Sequence, residues 1–268
     1  MTATDSVFAG SIPGLYDSYL GPLLFRPYAD EVADRVRRMM AGHVLETAAG
    51  TGIVTEALHL ALPDAHIIAT DLNPAMLEVA AQRVRSDKVT FETADAQALR
   101  FADASFDLVV CQFGIMFFPD KVRGNAEARR VLRDGGTYLT VIWDELDRNP
   151  ASQIAHDAVR RLFPDNPPAF LPRTPFGYAD PETIETDLRN AGFEEIRIDT
   201  VELASRPVSA REAAIGLVQG SPVRNEIEER DPAMLEEATR AVAEALKTLE
   251  LNGRMDSRLS AHVVTATK

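Results

Sequence analysis

The chain has 268 residues, enough for one α/β domain with a sizeable core and a helical addition. Hydrophobic residues make up 46% and charged residues 26%, and no apolar run approaches the roughly 18 to 20 residues of a membrane span. A formal net charge of −13 disfavours nucleic acid and anionic lipid as partners, because binding to them depends on lysines and arginines that neutralise phosphates.

Cysteine content and the first residues indicate the compartment. Residues 1–14 have neither the basic start nor the apolar core of a secretory signal. A single cysteine, Cys111, excludes an internal disulfide framework and a cysteine-cluster metal site. We therefore expect a cytoplasmic protein without a bound metal ion.

From residue 43 onward, short apolar or β-branched runs alternate with helix-patterned stretches, which is typical of a parallel sheet covered by helices. Asn73 and Pro74 suit the N-cap and first position of a helix, and Gly135-Gly136 predicts a break before the fifth strand. The first five strands are predicted at residues 43–48, 66–71, 89–95, 106–113 and 136–144. The helices between them are predicted at residues 53–62, 74–85 and 121–133.

The rhythm changes after the fifth strand. A helix is predicted at residues 151–163, and the proline-rich and aromatic segment 164–178 reads as an irregular loop, so this part is a candidate cap. A further helix begins after the N-cap Asp180 and ends at Gly192. The remaining predictions are a strand at residues 194–203, helices at about 210–219 and 233–251, and a last strand at 259–268.

The turn V-L-E-T-A-A-G-T-G, at residues 44–52, joins the first strand to the first helix through small residues. Glycines in such a turn let the backbone approach a ligand, and amides at a helix N-terminus favour negative groups. Two glycines alone also occur in turns for purely steric reasons. The turn is therefore a candidate nucleotide site that needs support from other strand ends.

That support comes from acidic and apolar residues after the next strands. Asp71 ends the second strand 19 residues after Gly52, a spacing at which a carboxylate binds ribose hydroxyls in dinucleotide folds. The alternative for Asp71 is that it only begins the next helix. The other candidates are Asp95 and Ala96 for the adenine, Leu72 and Met76 beside it, and Gln112 at the end of the fourth strand.

These segments together resemble the class I S-adenosylmethionine-dependent methyltransferases, and among them the ubiquinone and menaquinone biosynthesis methyltransferases. The matching sequences are ETAAGTG at residues 46–52, Asp71, ADAQALRFADASFD at 94–107 and ARRVLRDGGTYLTV at 128–141. The resemblance implies a Rossmann-like α/β fold with a seven-stranded, mostly parallel sheet, an antiparallel last strand and a helical cap. It also implies S-adenosylmethionine as cofactor and S-adenosylhomocysteine as product.

The resemblance further implies how the cofactor is held. Asp71 would bind the ribose, and Asp95 and Ala96 the adenine. Ala48-Ala49 departs from the family, which often has a glycine there. The methionine part would contact Glu46, Ala48, Gly50 and Gly52.

An N-terminal segment that folds over the cofactor is also implied, and packing as a surface helix is its alternative. It contains Tyr16, which we expect to contact the cofactor, and Tyr19 and Arg26, which we expect near the acceptor.

Large apolar residues flank the strand ends and the cap, where an acceptor pocket is expected, although ordinary burial explains part of any such set. No general base is identifiable by spacing, and His156 is only a weak candidate, with a structural or surface role as its alternative. The expected pocket residues are Phe113, Met116, Phe117, Trp143 and Phe176.

The sequence thus predicts methyl transfer to an oxygen, nitrogen or carbon atom of a small molecule by in-line displacement. An NAD-dependent oxidoreductase is the nearest rival, but Thr55 stands where G-x-G-x-x-G needs its third glycine. A non-enzymatic S-adenosylmethionine-binding protein is a second alternative. The acceptor and the oligomeric state, including a homodimer, stay open. One compact domain is expected, with a lid at residues 1–40, a cofactor-binding half at 41–145, a cap at 146–180 and a completion of the sheet at 181–268.

Overall fold

The structure, a computed structural model, describes Gly10 and residues 12–205 and 208–268. The rest of the predicted lid, residues 1–9 and 11, lies outside the described residues. The chain divides into two compact units, and the predicted four functional segments stay a prediction. The core unit contains Tyr28–Trp143, Tyr178–Val201 and Ala261–Lys268, and the helical unit contains Asp144–Gly177 together with the described residues up to Pro27 and from Glu202 to Ser260.

The strands form one large sheet and a small hairpin. They are β1 (His43–Thr47), β2 (His66–Asp71), β3 (Val89–Thr93), β4 (Phe106–Gln112), β5 (Leu132–Trp143), β6 (Glu195–Ala204), β7 (Glu250–Leu251), β8 (Arg254–Met255) and β9 (Arg258–Thr267). The seven-stranded sheet has the order β3-β2-β1-β4-β5-β9-β6, and β7 pairs with β8. Strands β1 to β5 pair in parallel, and β9 runs antiparallel to β5. The predicted fold class is confirmed.

The α-helices of the described chain vary widely in length. They are α1 (Ile12–Leu15), α2 (Arg26–Val36), α3 (Ile53–Ala61), α4 (Pro74–Arg83), α5 (Lys121–Val131), α6 (Pro150–Leu162), α7 (Phe170–Arg173), α8 (Pro181–Asn190), α9 (Ala210–Ala214), α10 (Val223–Arg230) and α11 (Leu235–Leu246). Two π-helical segments, Tyr16–Phe25 and Ile215–Gln219, extend α1 and α9. Within residues 12–205 and 208–268, no helix has the length and apolar character of a membrane span.

Local sequence signals explain several of these elements. The side chain of Asn73 accepts a hydrogen bond from the N–H of Ala75, and Asp180 caps α8 in the same way, as predicted. Leu108, Val109 and Val110 of β4 are fully buried, because a central parallel strand is covered on both faces and needs a continuous apolar run.

The prediction of a break at Gly135-Gly136 was wrong. Strand β5 already begins at Leu132, and the glycine pair lies inside it, where the pairing with β4 shifts register. A Cβ at Gly136 would lie 2.8 Å from the carbonyl oxygen of Arg133. The two glycines therefore allow an irregularity within β5 and do not mark the start of the strand.

Several parts of the helical unit differ from the sequence prediction, and α10 was not predicted. The segment predicted as irregular contains the short helix α7, whose first N–H groups at Ala169 and Phe170 donate to the buried Glu226 at 2.7 and 3.1 Å. The last predicted helix ends at Leu246, and Asn252-Gly253 forms the turn between β7 and β8. Asn-Gly is a strong hairpin signal, so this turn could have been recognised.

Candidate active site

The candidate site lies in the core unit, at the edge formed by the carboxyl ends of the parallel strands. Because β2, β1 and β4 are neighbours in register, the residues that follow them emerge at the same edge. All predicted cofactor residues of the core unit belong to this edge, and Tyr16 belongs to the helical unit. The edge contains Glu46 near the end of β1 with Ala48, Gly50 and Gly52 after it, Asp71 at the end of β2 with Leu72 and Met76 after it, Asp95 and Ala96 after β3, and Gln112 at the end of β4.

Asp71 links the glycine turn to the start of α4. One carboxylate oxygen accepts the N–H of Gly50 and the other accepts the N–H of Asn73, each at 2.8 Å. Burial raises the pKa of Asp71, although the N–H groups of Asn73, Gly50 and Leu72 favour its charged form. A carboxylate offers about four acceptor positions, so further hydroxyl groups can donate to Asp71. Asp71 therefore does more than begin α4, since Asn73 is the N-cap of that helix.

An exposed apolar side chain stands beside Asp71. Leu72 is 66% exposed, whereas Met76 is buried. A single exposed apolar side chain is common on protein surfaces and does not by itself mark a ligand site. Contact of Leu72 and Met76 with the adenine stays a prediction.

The loop after β3 is fixed by residues that sequence reasoning did not select. Gln97 donates its N–H to Asp95 at 2.9 Å, and its side-chain oxygen accepts the N–H of Asp120 at 2.9 Å. Arg123 of α5 donates to the carbonyl oxygen of Gln97 at 2.7 Å. These bonds join the Asp95 loop to α5, so Gln97 and Arg123 position the exposed carboxylate of Asp95.

The glycine turn has left-handed backbone at Ala48, Gly50 and Gly52, with φ of 54°, 55° and 79°. Ala48 thus occupies a conformation that glycine adopts more easily, which accounts for the glycine expected at this place in the family. Behind the turn, a Cβ at Gly52 would lie 2.8 Å from the Cβ of Ala80 on α4. Helix α4 also supports the turn through Arg83, which donates to the carbonyl oxygen of Thr51 at 3.0 Å.

Gly50→Ala and Gly52→Ala are expected to fail for different reasons. No described atom lies within 4 Å of a Cβ at Gly50, so this variant should lose only about 1–2 kcal/mol of unfolding free energy from left-handed strain. Gly52→Ala adds overpacking against Ala80 and should lose about 2–5 kcal/mol. Urea denaturation of both variants measures the difference. Equal losses would contradict the close contact of Gly52 with α4.

Glu46 is a buried carboxyl group under the glycine turn. It is 2% exposed, and the hydroxyl of Thr55 donates to it at 2.6 Å. Burial, together with the charge of Asp71, raises the pKa of Glu46 to about 8 against the bond from Thr55. Glu46 is therefore mostly protonated at neutral pH in the free protein, and Thr55, the residue that breaks the dehydrogenase pattern, has a structural reason to be there.

Three aromatic residues form a buried cluster in the core unit. The ring of Phe113 stacks on Trp143 at 3.8 Å between centroids, and Tyr28 meets both edge-on. All three are buried, and Phe113 has φ of 54°, which is unusual for an aromatic residue. This packing explains their burial, and contact of Phe113 and Trp143 with an acceptor stays a prediction.

The other predicted residues are divided between the units. Met116 is buried and Phe117 half-buried in the core unit, while Phe176 is buried in the helical unit, where Tyr19 and Arg26 are half-buried. His156, also in the helical unit, lines a small apolar cavity with Phe170 and Leu217. Burial lowers the pKa of His156. Its role as a base stays a prediction, as does the pocket as a whole.

Comparison with known proteins decides the family. Residues 44–136 match a family model described as a methyltransferase domain. The demethylmenaquinone methyltransferase of Deinococcus radiodurans is 32% identical over 165 residues, which are 56% of this chain and 67% of that protein. The ubiquinone/menaquinone biosynthesis C-methyltransferase UbiE of Dinoroseobacter shibae is 30% identical over 192 residues, 65% of this chain and 75% of that protein. The chain belongs to the class I S-adenosylmethionine-dependent methyltransferases.

A solved structure agrees with this methyltransferase in fold. Phosphoethanolamine N-methyltransferase 2 of Haemonchus contortus, in complex with S-adenosyl-L-methionine, superposes with a TM-score of 0.62 and 17% identity, over 100% of this chain and 60% of that one. The resemblance inferred from sequence is confirmed, and membership of this family makes S-adenosylmethionine the cofactor. Family membership decides against both the dehydrogenase and the non-enzymatic alternative.

The strand-end edge of this methyltransferase fits its cofactor chemically. Asp71 has acceptor positions for ribose hydroxyls, Leu72 presents an exposed apolar side chain, and Gly50 leaves open space where a side chain would stand. The exposed Asp95 can accept an amino group. Each part of the cofactor thus has a candidate partner of suitable chemistry, and these individual contacts stay predictions.

Proposed function

We propose that this methyltransferase methylates a small molecule at an oxygen, nitrogen or carbon atom. The cofactor side of the proposal rests on one arrangement above all, the double acceptor Asp71 that joins the glycine turn to α4 beside the exposed Leu72. The relatives are named for menaquinone and ubiquinone precursors, which are small molecules. The net charge of −13 supports this acceptor class, because it disfavours nucleic acid.

The protein's share in the reaction is alignment and exclusion of water. When bound, S-adenosylmethionine supplies an electrophilic methyl group on sulfur, suited to in-line displacement by a nucleophile. Glu46 and the turn from Ala48 to Gly52 would hold the methionine part, and Asp71 the ribose. A rigid hold on the cofactor contributes to rate because displacement needs the reacting atoms in line.

The acceptor side of the proposal keeps the residues predicted from sequence. Phe113, Met116, Phe117, Trp143 and Phe176 would line an apolar pocket, and His156 is kept as a weak candidate for a general base.

The first test is calorimetric titration of the purified protein with S-adenosylmethionine, S-adenosylhomocysteine and NADH. Micromolar binding of the first two and none of NADH is expected. Radiolabelled cofactor is then incubated with a cell extract separated by size. Label transfer to the small-molecule fraction supports the proposal. Transfer only to protein or nucleic acid, or tighter binding of NADH, would overturn it.

Tyr16, Tyr19 and Arg26 are proposed to cover the bound ligands. Loss of a hydroxyl contact costs about 0.5–1.5 kcal/mol, so Tyr16→Phe and Tyr19→Phe should each raise the Kd of S-adenosylmethionine by about three- to tenfold. Tyr178→Phe is the matched control, because that hydroxyl donates to Asp187 at 2.8 Å within the core unit. Unchanged affinity for cofactor and acceptor in both N-terminal variants would rule out the covering role.

A further inference from the structure

The N-terminal segment and a π-helical turn of the helical unit approach unusually closely. A Cβ at Gly216 would lie 3.0 Å from the Cβ of Tyr19 and 2.9 Å from a methyl group of Leu20. A Cβ at Gly220 would lie 2.8 Å from the carbonyl oxygen of Gly216 and 3.1 Å from the backbone nitrogen of Tyr16. The two tyrosines that are proposed to cover the ligands, Tyr16 and Tyr19, thus lie in close contact with Gly220 and Gly216.

The glycines are required by space and not by backbone conformation. Gly220 has φ of −89°, which any residue adopts, and Gly216 lies within the π-helical segment Ile215–Gln219. That segment is wider than an α-helix, as is the N-terminal segment Tyr16–Phe25 that it contacts. Single π-helical turns often occur at functional sites. Between the glycines, Leu217 and Val218 are buried in the same unit.

The N-terminal segment also packs as part of this unit. Leu20, Leu23 and Leu24 are buried, and the ring of Tyr16 stacks on Phe25 at 4.7 Å. Contacts group the described residues up to Pro27 with Asp144–Gly177 and Glu202–Ser260. We therefore expect the N-terminal segment to move together with the helices on which it packs.

We propose that Gly216 and Gly220 form a seat that positions Tyr16 and Tyr19, so that the N-terminal segment and the helices around the seat respond to the cofactor as one body. The inference rests on the proposed covering role of the two tyrosines. It assigns to Gly216 and Gly220 a positioning role in cofactor binding without any contact with the cofactor.

Hydrogen exchange detected by mass spectrometry tests the seat, with S-adenosylhomocysteine as the probe. In the wild type, the probe should slow exchange in residues 12–25 and in residues 215–246 together. Gly220→Ala and Gly216→Ala should speed exchange of residues 12–25 without the probe and raise its Kd by about tenfold, as expected for moderate overpacking. Gly14→Ala is the matched control, because no described atom lies within 4 Å of a Cβ there.

The outcomes separate this inference from the proposed function. Protection of residues 12–25 alone, or seat variants that bind the probe as the wild type does, would overturn the seat. If the wild type binds no S-adenosylhomocysteine, the proposed function fails. Exchange without the probe still decides the seat in that case, because equal rates in Gly220→Ala and Gly14→Ala would exclude it. Circular dichroism confirms that the seat variants are folded.

Discussion

Asp71→Ala should raise the Kd of S-adenosylmethionine by about 100-fold or more. Two hydrogen bonds from ribose hydroxyls to a carboxylate contribute about 1.5–3 kcal/mol each, and 1.4 kcal/mol corresponds to a factor of ten. The variant also removes the acceptor for Gly50 and Asn73, so the turn itself should loosen. Calorimetric titration with S-adenosylmethionine measures the loss.

Two further variants separate the ligand contact from the fold. Asp71→Asn keeps one side-chain oxygen for the turn but places an amide NH2 against the other backbone N–H, so it should bind more weakly than the wild type and lose about 1–3 kcal/mol of unfolding free energy, less than Asp71→Ala loses. Asp64→Asn, at a fully exposed aspartate, makes the same chemical change away from the edge. Wild-type affinity in Asp71→Asn and Asp71→Ala alike would show that the ribose is bound elsewhere.

Glu46→Gln should stabilise the cofactor-free protein at high pH. The carboxyl has a pKa of about 8 in the folded protein against an ordinary value of 4.5, so the folded state holds its proton where the unfolded state has lost it. Stability is therefore fully present below about pH 4.5 and falls as the pH rises towards 8. Between pH 6 and 9 the wild type should lose about 3 kcal/mol more than the variant, because the slope of about 1.4 kcal/mol per pH unit applies only up to the folded pKa of about 8.

Urea denaturation of both proteins at pH 6 and pH 9 measures this difference. The variant keeps an oxygen that can accept from Thr55, so its packing should change little. Glu92→Gln on β3 is the matched control, because it makes the same chemical change at an exposed position. Parallel curves for the wild type and Glu46→Gln would mean that Glu46 is ionised in the folded protein at neutral pH.

The carboxyl ends of the strands, where the candidate site lies, could be predicted where local sequence signals determine them. Strand β2 was predicted at its observed bounds, because Asn73 and Pro74 mark the helix that follows. Asp71 was selected as a candidate site residue because of its spacing to the glycine turn. Helix α10 was missed, because its sequence VRNEIEER has too few apolar residues to show a helical period. Its buried Glu226 accepts a hydrogen bond from the N–H of Ala169, which is distant in sequence.

The supporting residues of the site could not be found in the same way. Thr55 bonds to Glu46, Arg83 to Thr51 and Arg123 to Gln97, and each pair joins different elements of the fold. A single sequence contains no signal for such pairs, since neither residue type nor spacing marks them. The aromatic cluster of Tyr28, Phe113 and Trp143 is similar, because its rings come from three elements and meet only in the folded core.

The position of β9 has a consequence for the order of folding. This strand pairs with β5 and lies between it and β6, so β6 reaches the rest of the sheet only through β9. During synthesis, β6 therefore leaves the ribosome before its neighbour β9 exists. Its backbone N–H and C=O groups have no strand to pair with while residues 205–257 are made. Pairing of such distant segments is slow, because the entropy of closing a long loop precedes any gain in contacts. We expect the sheet from β3 to β5 to form first and β6 to join it last.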